Sequence, residues 1–200
     1  AGNHADVFKH VALVSILRLM QKKETPLLVV DTHAGAGLYT LHSPLVRDKA
    51  EWSSGIGKLW ASASWPDPIA HYLDLIKPFN KSGRLTHYPG SPVLIQQLLR
   101  PDDRLRAFEM HPSDIGPRQV KAERKDGFHQ LRALLPPPSR RGLILIDPPY
   151  EMRADYSHVI HALKEALTRF ATGVYVLWYP KVGRFQVDRL LRQVAGLAIH

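Results

Sequence analysis

The 200-residue chain contains no cysteine. Disulfides and thiolate metal sites are excluded, and the composition fits a reducing compartment. Long apolar runs are also missing. Nothing approaches the ~20 residues of a membrane-spanning helix, and Ala1 to His10 do not read as a secretory signal. A cytoplasmic location is expected. No Gly-Lys-Ser/Thr of a phosphate-binding loop occurs. Acidic residues are few: 18 Asp and Glu stand against 27 Lys and Arg, a formal charge of +9. That balance suits a protein that meets a polyanion, although charge alone leaves a merely solvated basic surface equally open.

What is present is an ordinary globular composition, 44% hydrophobic and 22% charged, long enough for one main domain. Val7, Val11, Val14, Leu17 and Met20 predict an amphipathic helix over 5–23, with Lys22 and Lys23 in its last turn. The apolar runs 27–31 and 142–147 predict strands covered on both faces, and weaker runs at 105–109 and 174–178 predict two more. Tyr156, Val159, Ile160, Leu163 and Leu167 give a helix over 155–171. Alternating strands and helices make an α/β fold with a mostly parallel sheet. The stretch from residue 38 to 103, between the first two strands, exceeds what one crossover helix needs. Trp52, Trp60, Trp65 and Tyr72 mark residues 43–80 as a small inserted helical subdomain, leaving 1–42 and 81–200 as the main domain. Ser91 is the expected N-cap of a further helix, with Pro92 in its first position. The chain opens without Met and stops in an apolar stretch at Gly196 to Ile199, so both ends are expected to be cut and the closing strands to lie beyond.

Asp147-Pro148-Pro149-Tyr150 follows the strongest strand, at the carboxyl end where open α/β sheets bind ligands. An adenine amino group is a poor nucleophile because its lone pair is delocalised into the ring. Two acceptors for its N–H bonds, the Asp147 carboxylate and the Pro148 carbonyl, would draw the nitrogen toward tetrahedral geometry and stabilise its developing charge. Consecutive prolines restrict the backbone and hold that carbonyl ready. Tyr150 offers a face on which an extruded base can stack.

Asp31-Thr32-His33-Ala34-Gly35-Ala36-Gly37 follows the first strand, and its glycines allow close approach to a nucleotide-type cofactor. Thr40 stands where a dinucleotide fingerprint has its third glycine, which weakens the dehydrogenase reading. Glu109, at the second strand's end, suits ribose hydroxyls. Asp126, beside Gly127, suits an adenine amino group. Each acid also has a reading as a solvated loop residue, and Lys9 and His10 one as the polar face of the first helix. Histidines 4, 10, 33 and 111 show no helical zinc spacing, so no metal is expected.

Five blocks together resemble one family, the bacterial 23S ribosomal RNA adenine-N6 methyltransferases called ribosomal large subunit methyltransferase J. They are Ala1 to Val7 with Lys9-His10, Asp31 to Gly37, Tyr88 to Pro92, His111 to Asp114, and Arg140 to Met152. The resemblance implies a Rossmann-like class I fold with a small inserted helical subdomain, S-adenosyl-L-methionine as cofactor, and 23S ribosomal RNA as substrate of a monomer. It also implies cofactor binding by Lys9, His10, His33, Gly35, Ser91, Glu109, Asp126, Gly127 and Asp147, with Asp147 catalytic. The chain departs from the family in lacking the stretch before Ala1, in its short 114–125 segment, and in its missing closing strands. A DNA adenine methyltransferase and a non-catalytic binding module are the alternatives. The family blocks favour RNA, and the intact Asp147 and Tyr150 favour an enzyme.

Overall fold

A computed structural model describes residues 1–41, 51–62, 64–109, 120–181 and 183–197. The strands in chain order are β1 (Leu28–Asp31), β2 (Leu38–Thr40), β3 (His87–Pro89), β4 (Arg104–Phe108), β5 (Val120–Glu123), β6 (Gly142–Ile146) and β7 (Val174–Leu177). The helices are α1 (His4–Met20), α2 (Glu51–Ser54), α3 (Ile56–Trp60), α4 (Asp67–Ile76), α5 (Ser91–Leu98), α6 (Gly127–Leu134), α7 (Arg153–Arg169) and α8 (Arg184–Ala195). Two compact units result, Ala1–Glu24 with Ala34–Arg100, and Thr25–His33 with Pro101–His200.

The second unit holds the sheet, ordered β5-β4-β1-β6-β7 with every pairing parallel. The α/β expectation is met. β6 is buried at all five positions, as its unbroken apolar sequence requires of a strand covered on both faces. Val30, Phe108, Ile144 and Ile146 pack with Val159, Leu163 and Ala166 of α7. Burying each large aliphatic side chain of this kind contributes roughly 1.5–3 kcal/mol relative to leaving it exposed. β7, an edge of the described sheet, is only half-buried along its length.

In the first unit, the Asn3 side chain caps α1 by accepting from the Asp6 amide at 2.9 Å, and Asp6 in turn accepts from the Gly2 amide at 2.9 Å. The helix ends at Met20 with Gln21 as C-cap, so Lys22 and Lys23 fall beyond its last turn rather than in it. Val14 packs with Tyr72 and Ile76 of α4, Tyr88 of β3 and Leu94 of α5. β2 and β3 form an antiparallel pair that places Tyr39 opposite Tyr88. α5 is capped by Gly90, not Ser91, and Ser91 and Pro92 are its first two helical residues. The Gly90 amide donates to the Gly37 carbonyl, which fixes the chain in extended geometry one residue before the helix begins.

Candidate active site

β1 lies between β4 and β6, so the chain leaves β1 in one direction and later returns on its other side. That reversal is the switch point where doubly wound sheets bind ligands, beyond the carboxyl ends of the strands. Asp31 ends β1 there, Thr32 and His33 follow it, and Asp147 follows β6. Thr32 links the two strands, its amide and its hydroxyl each donating to the Leu145 carbonyl at 3.1 Å. Because that hydroxyl has only one proton, Thr32 Oγ1 accepts from His33 Nδ1 at 2.8 Å. His33 therefore carries its proton on Nδ1 and a lone pair on Nε2. Its ring meets Phe128 edge-on, with centroids 4.8 Å apart.

Burial lowers the His33 pKa, and the carboxylates of Asp147, Glu109, Asp126 and Asp155 pull it the other way. Four acids thus act on one half-buried imidazole, in a chain whose net charge is strongly positive. Glu109 follows β4, and its amide donates to the Glu123 carbonyl at 3.2 Å. Asp126 is the N-cap of α6: one oxygen accepts from the Phe128 amide at 2.9 Å and the other lies 2.7 Å from His129 Nδ1. Burial raises its pKa, yet the bonds to His129 and Phe128 leave it lowered overall. Next to it, Gly127 sits so close to β1 that a Cβ would stand 2.3 Å from the Thr32 carbonyl oxygen.

Pro148 is buried and Pro149 exposed. Tyr150 adopts a left-handed backbone, φ 54°, which a non-glycine residue holds only when its surroundings enforce it. They do so here. The hydroxyl donates to the Trp178 carbonyl at 3.0 Å, and the ring packs on Tyr156 with centroids 4.8 Å apart. Burial, with Asp147 adding to it, raises the phenol pKa, so the hydroxyl keeps its proton. Trp178 is itself tied to β6 through its amide and the Ile146 carbonyl, 2.9 Å. Met152 and Asp155 close the start of α7, the Met152 amide donating to Asp155 at 3.2 Å.

In the first unit, His10 is 3% exposed and its Nδ1 lies 2.8 Å from the Tyr88 hydroxyl, which also receives the Tyr72 hydroxyl at 2.9 Å. Lys9 pairs with Asp6 at 3.4 Å. Gly35 and Gly37 both take positive φ, 64° and 79°, and the Ala36 amide between them donates to the Tyr39 hydroxyl at 3.2 Å. Ser91 is buried at the start of α5.

Residues 24–200 match the family described as ribosomal RNA large subunit methyltransferase D, RlmJ. The chain belongs to this family. It is 45% identical to ribosomal RNA large subunit methyltransferase J of Escherichia coli, an alignment covering 100% of the chain and 74% of that protein. The protein of that name from Haemophilus influenzae is 43% identical over the same shares. The fold superimposes on the crystal structure of protein LPL1258 from Legionella pneumophila with a TM-score of 0.93 at 37% identity, covering 99% of this chain and 76% of that one.

Of the residues singled out from sequence in this methyltransferase, the sheet unit brings His33, Glu109, Asp126, Gly127, Asp147, Pro148 and Tyr150 to its carboxyl edge. Lys9, His10, Gly35 and Ser91 belong to the other unit. His111 to Asp114 lie outside the described residues. Sequence reasoning missed Thr32, Asp155, Tyr72 and Tyr88 as supporting residues. Asp155 had a legible signal, an acid three residues after the helix cap. The two tyrosines had none, being 16 residues apart with no shared period. Among the described residues no cluster of three or more His, Asp or Glu is arranged to hold a metal, and no helix is long and apolar enough to cross a membrane.

Proposed function

We propose that the chain transfers a methyl group from S-adenosyl-L-methionine to the N6 amino group of an adenine in 23S ribosomal RNA, acting as a cytoplasmic monomer with 43–80 as a small inserted helical subdomain. The observation that carries this reading is the Asp147-Pro148-Pro149-Tyr150 turn, held in a strained backbone at the switch point of a Rossmann-like sheet. The local residues fit that cofactor. The carboxylates of Asp147, Glu109, Asp126 and Asp155, all of which act on His33, favour a ligand bearing a cationic sulfonium. Gly127, with no room for a Cβ, keeps the start of α6 against the end of β1.

In this reading Glu109 holds the ribose hydroxyls and Asp126 the cofactor's adenine, with His33, Gly35, Lys9, His10, Ser91 and Gly127 completing the binding set. The cofactor supplies an electrophilic methyl. Asp147 and the Pro148 carbonyl accept the two N–H bonds of the target amine, orienting its lone pair and stabilising the charge that grows on nitrogen. Tyr150 stacks the base, its own ring fixed from behind by Tyr156. Exposed Met152 and Phe185, with Arg153, Lys181 and Arg184, give the segments after β6 and β7 apolar and cationic surface for neighbouring nucleotides.

The test is transfer of labelled methyl to protein-free ribosomal RNA, intact ribosomal subunits and duplex DNA, followed by nucleoside analysis. N6-methyladenosine in ribosomal RNA is expected. Label in duplex DNA alone would favour the DNA enzyme, and no label would favour a binding module.

A further inference from the structure

We propose that Tyr88 and Tyr72 are positioning residues that hold His10 as a neutral imidazole protonated on Nε2, so that it serves the cofactor site as a hydrogen-bond donor. The inference rests on the reading of His10 as a cofactor-binding residue and assigns its chemical form and the groups that set it.

Counting protons along the three side chains fixes the tautomer. Tyr72, Tyr88 and His10 are 0%, 1% and 3% exposed, so water does not supply missing partners. A phenol has one proton to give. Tyr72 donates its proton to the Tyr88 oxygen at 2.9 Å, and Tyr88 then has its own for His10 Nδ1 at 2.8 Å. Nδ1 must present a lone pair, and the ring proton sits on Nε2. Both rings also brace the imidazole. Tyr88 stacks on it with centroids 5.7 Å apart and planes 25° apart, and Tyr72 lies at 6.4 Å and 48°. The three residues come from β3, α4 and α1, so a helix of the segment inserted after β1 contributes the outermost hydroxyl of the chain.

Neutrality follows from the surroundings. Burial is the main influence lowering the His10 pKa to about 3, the Lys9 cation adds to it, and Asp6 opposes them. Both of these charged groups lie on α1, and the rings that face the imidazole from α4 and β3 are the Tyr72 and Tyr88 phenols. Their pKa values are raised, chiefly by burial, and they keep their protons. If the tyrosines served only to fill space, phenylalanine would pack equally well and neither hydroxyl would matter.

The test uses the full chain labelled with 15N-histidine. Ring-nitrogen NMR should show His10 at pH 7 with protonated Nε2 and unprotonated, hydrogen-bonded Nδ1, with and without S-adenosylhomocysteine. Tyr88→Phe should abolish the Nδ1 hydrogen-bond shift and weaken S-adenosylhomocysteine about tenfold, the size of one lost hydrogen bond. Tyr72→Phe should act in the same direction by only a few-fold, because Tyr88 keeps its proton for Nδ1. A wild-type ring protonated on Nδ1, or on both nitrogens, overturns the proposal, and that measurement needs no variant to fold. So does a folded Tyr88→Phe that binds as wild type while His10→Ala does not, which leaves His10 as a cofactor residue but removes its positioning. Wild-type binding by His10→Ala instead overturns the cofactor role of His10 itself.

Discussion

Asp147 and Tyr150 share one turn, but their substitutions should report different things. Asp147→Ala removes a group that acts on the target amine, and turnover should fall on the order of a hundredfold or more with circular dichroism unchanged, since the residue lies outside the apolar run of β6. A normal rate would remove Asp147 from the chemistry. Tyr150→Phe keeps the ring on Tyr156 but removes the hydroxyl's bond to the Trp178 carbonyl, a cost of about 1 kcal/mol. Tyr150→Ala loses in addition a base-stacking contact of roughly 1–3 kcal/mol. Equal damage in the two variants would show that the hydroxyl, not the ring face, matters. Asp126 can be divided in the same way. Asp126→Ala loses the cap of α6 and should cost about 1 kcal/mol of stability. Asp126→Ser keeps a capping oxygen while removing the carboxylate. It should therefore fold with nearly wild-type stability and bind S-adenosylhomocysteine about ten- to a hundredfold more weakly. Wild-type binding by Asp126→Ser would make the residue a cap only.

At the scale of elements, the junction of α6 with β1 depends on one missing methyl group. Gly127→Ala would drive a Cβ to 2.7 Å from the Thr32 Cα and 2.3 Å from its carbonyl oxygen, against backbone that cannot turn aside. A loss of about 1–3 kcal/mol is expected in urea unfolding, despite alanine's better helix propensity. Unchanged stability would mean the two elements separate freely. This contact also shows where sequence reading stops. The strands 142–147 and 27–31 were legible because burial on both faces demands an unbroken apolar run, and the turns after them because glycine and proline punctuate so strongly. Asp126 was legible as a candidate acid but not as a cap, since capping depends on where α6 starts, and no apolar period announces that short helix. Ser91 was displaced by one position for a related reason. The extended geometry of Gly90 comes from its bond to Gly37, 53 residues earlier in the chain, and no local signal encodes it. The strand pair β2 and β3 was invisible likewise, each member being three residues long.

For the whole molecule, buried neutral histidines give stability a pH dependence of known sign. The unfolded chain protonates His10 near its ordinary value of 6.5, whereas the folded chain resists until about 3. Between those values the unfolded state holds more protons, so stability is full above pH 6.5 and falls by about 1.4 kcal/mol per unit as pH drops. His33, also lowered, adds in the same direction. Urea midpoints at pH 7.5 and 5.5 should differ accordingly, and His10→Gln should flatten part of the difference. A wild-type midpoint that rises on acidification would contradict the buried neutral ring. A second whole-molecule property is salt. With a formal charge of +9, affinity for RNA should fall linearly in log K against log salt, and a flat dependence would refute phosphate contacts.

The order of the strands has a consequence for how the chain is made. β1 lies in the middle of its sheet, yet its partners are β4, at 104–107, and β6, at 142–145. During synthesis Leu27 to Val30 emerge with nothing to pair to, and at ~5–20 residues per second roughly 6–23 seconds separate β1 from β6. β4 becomes available to pair with β1 before β6 does. The β1–β6 pairing, Leu28 with Gly142, is thus a non-local contact of the kind that slows folding.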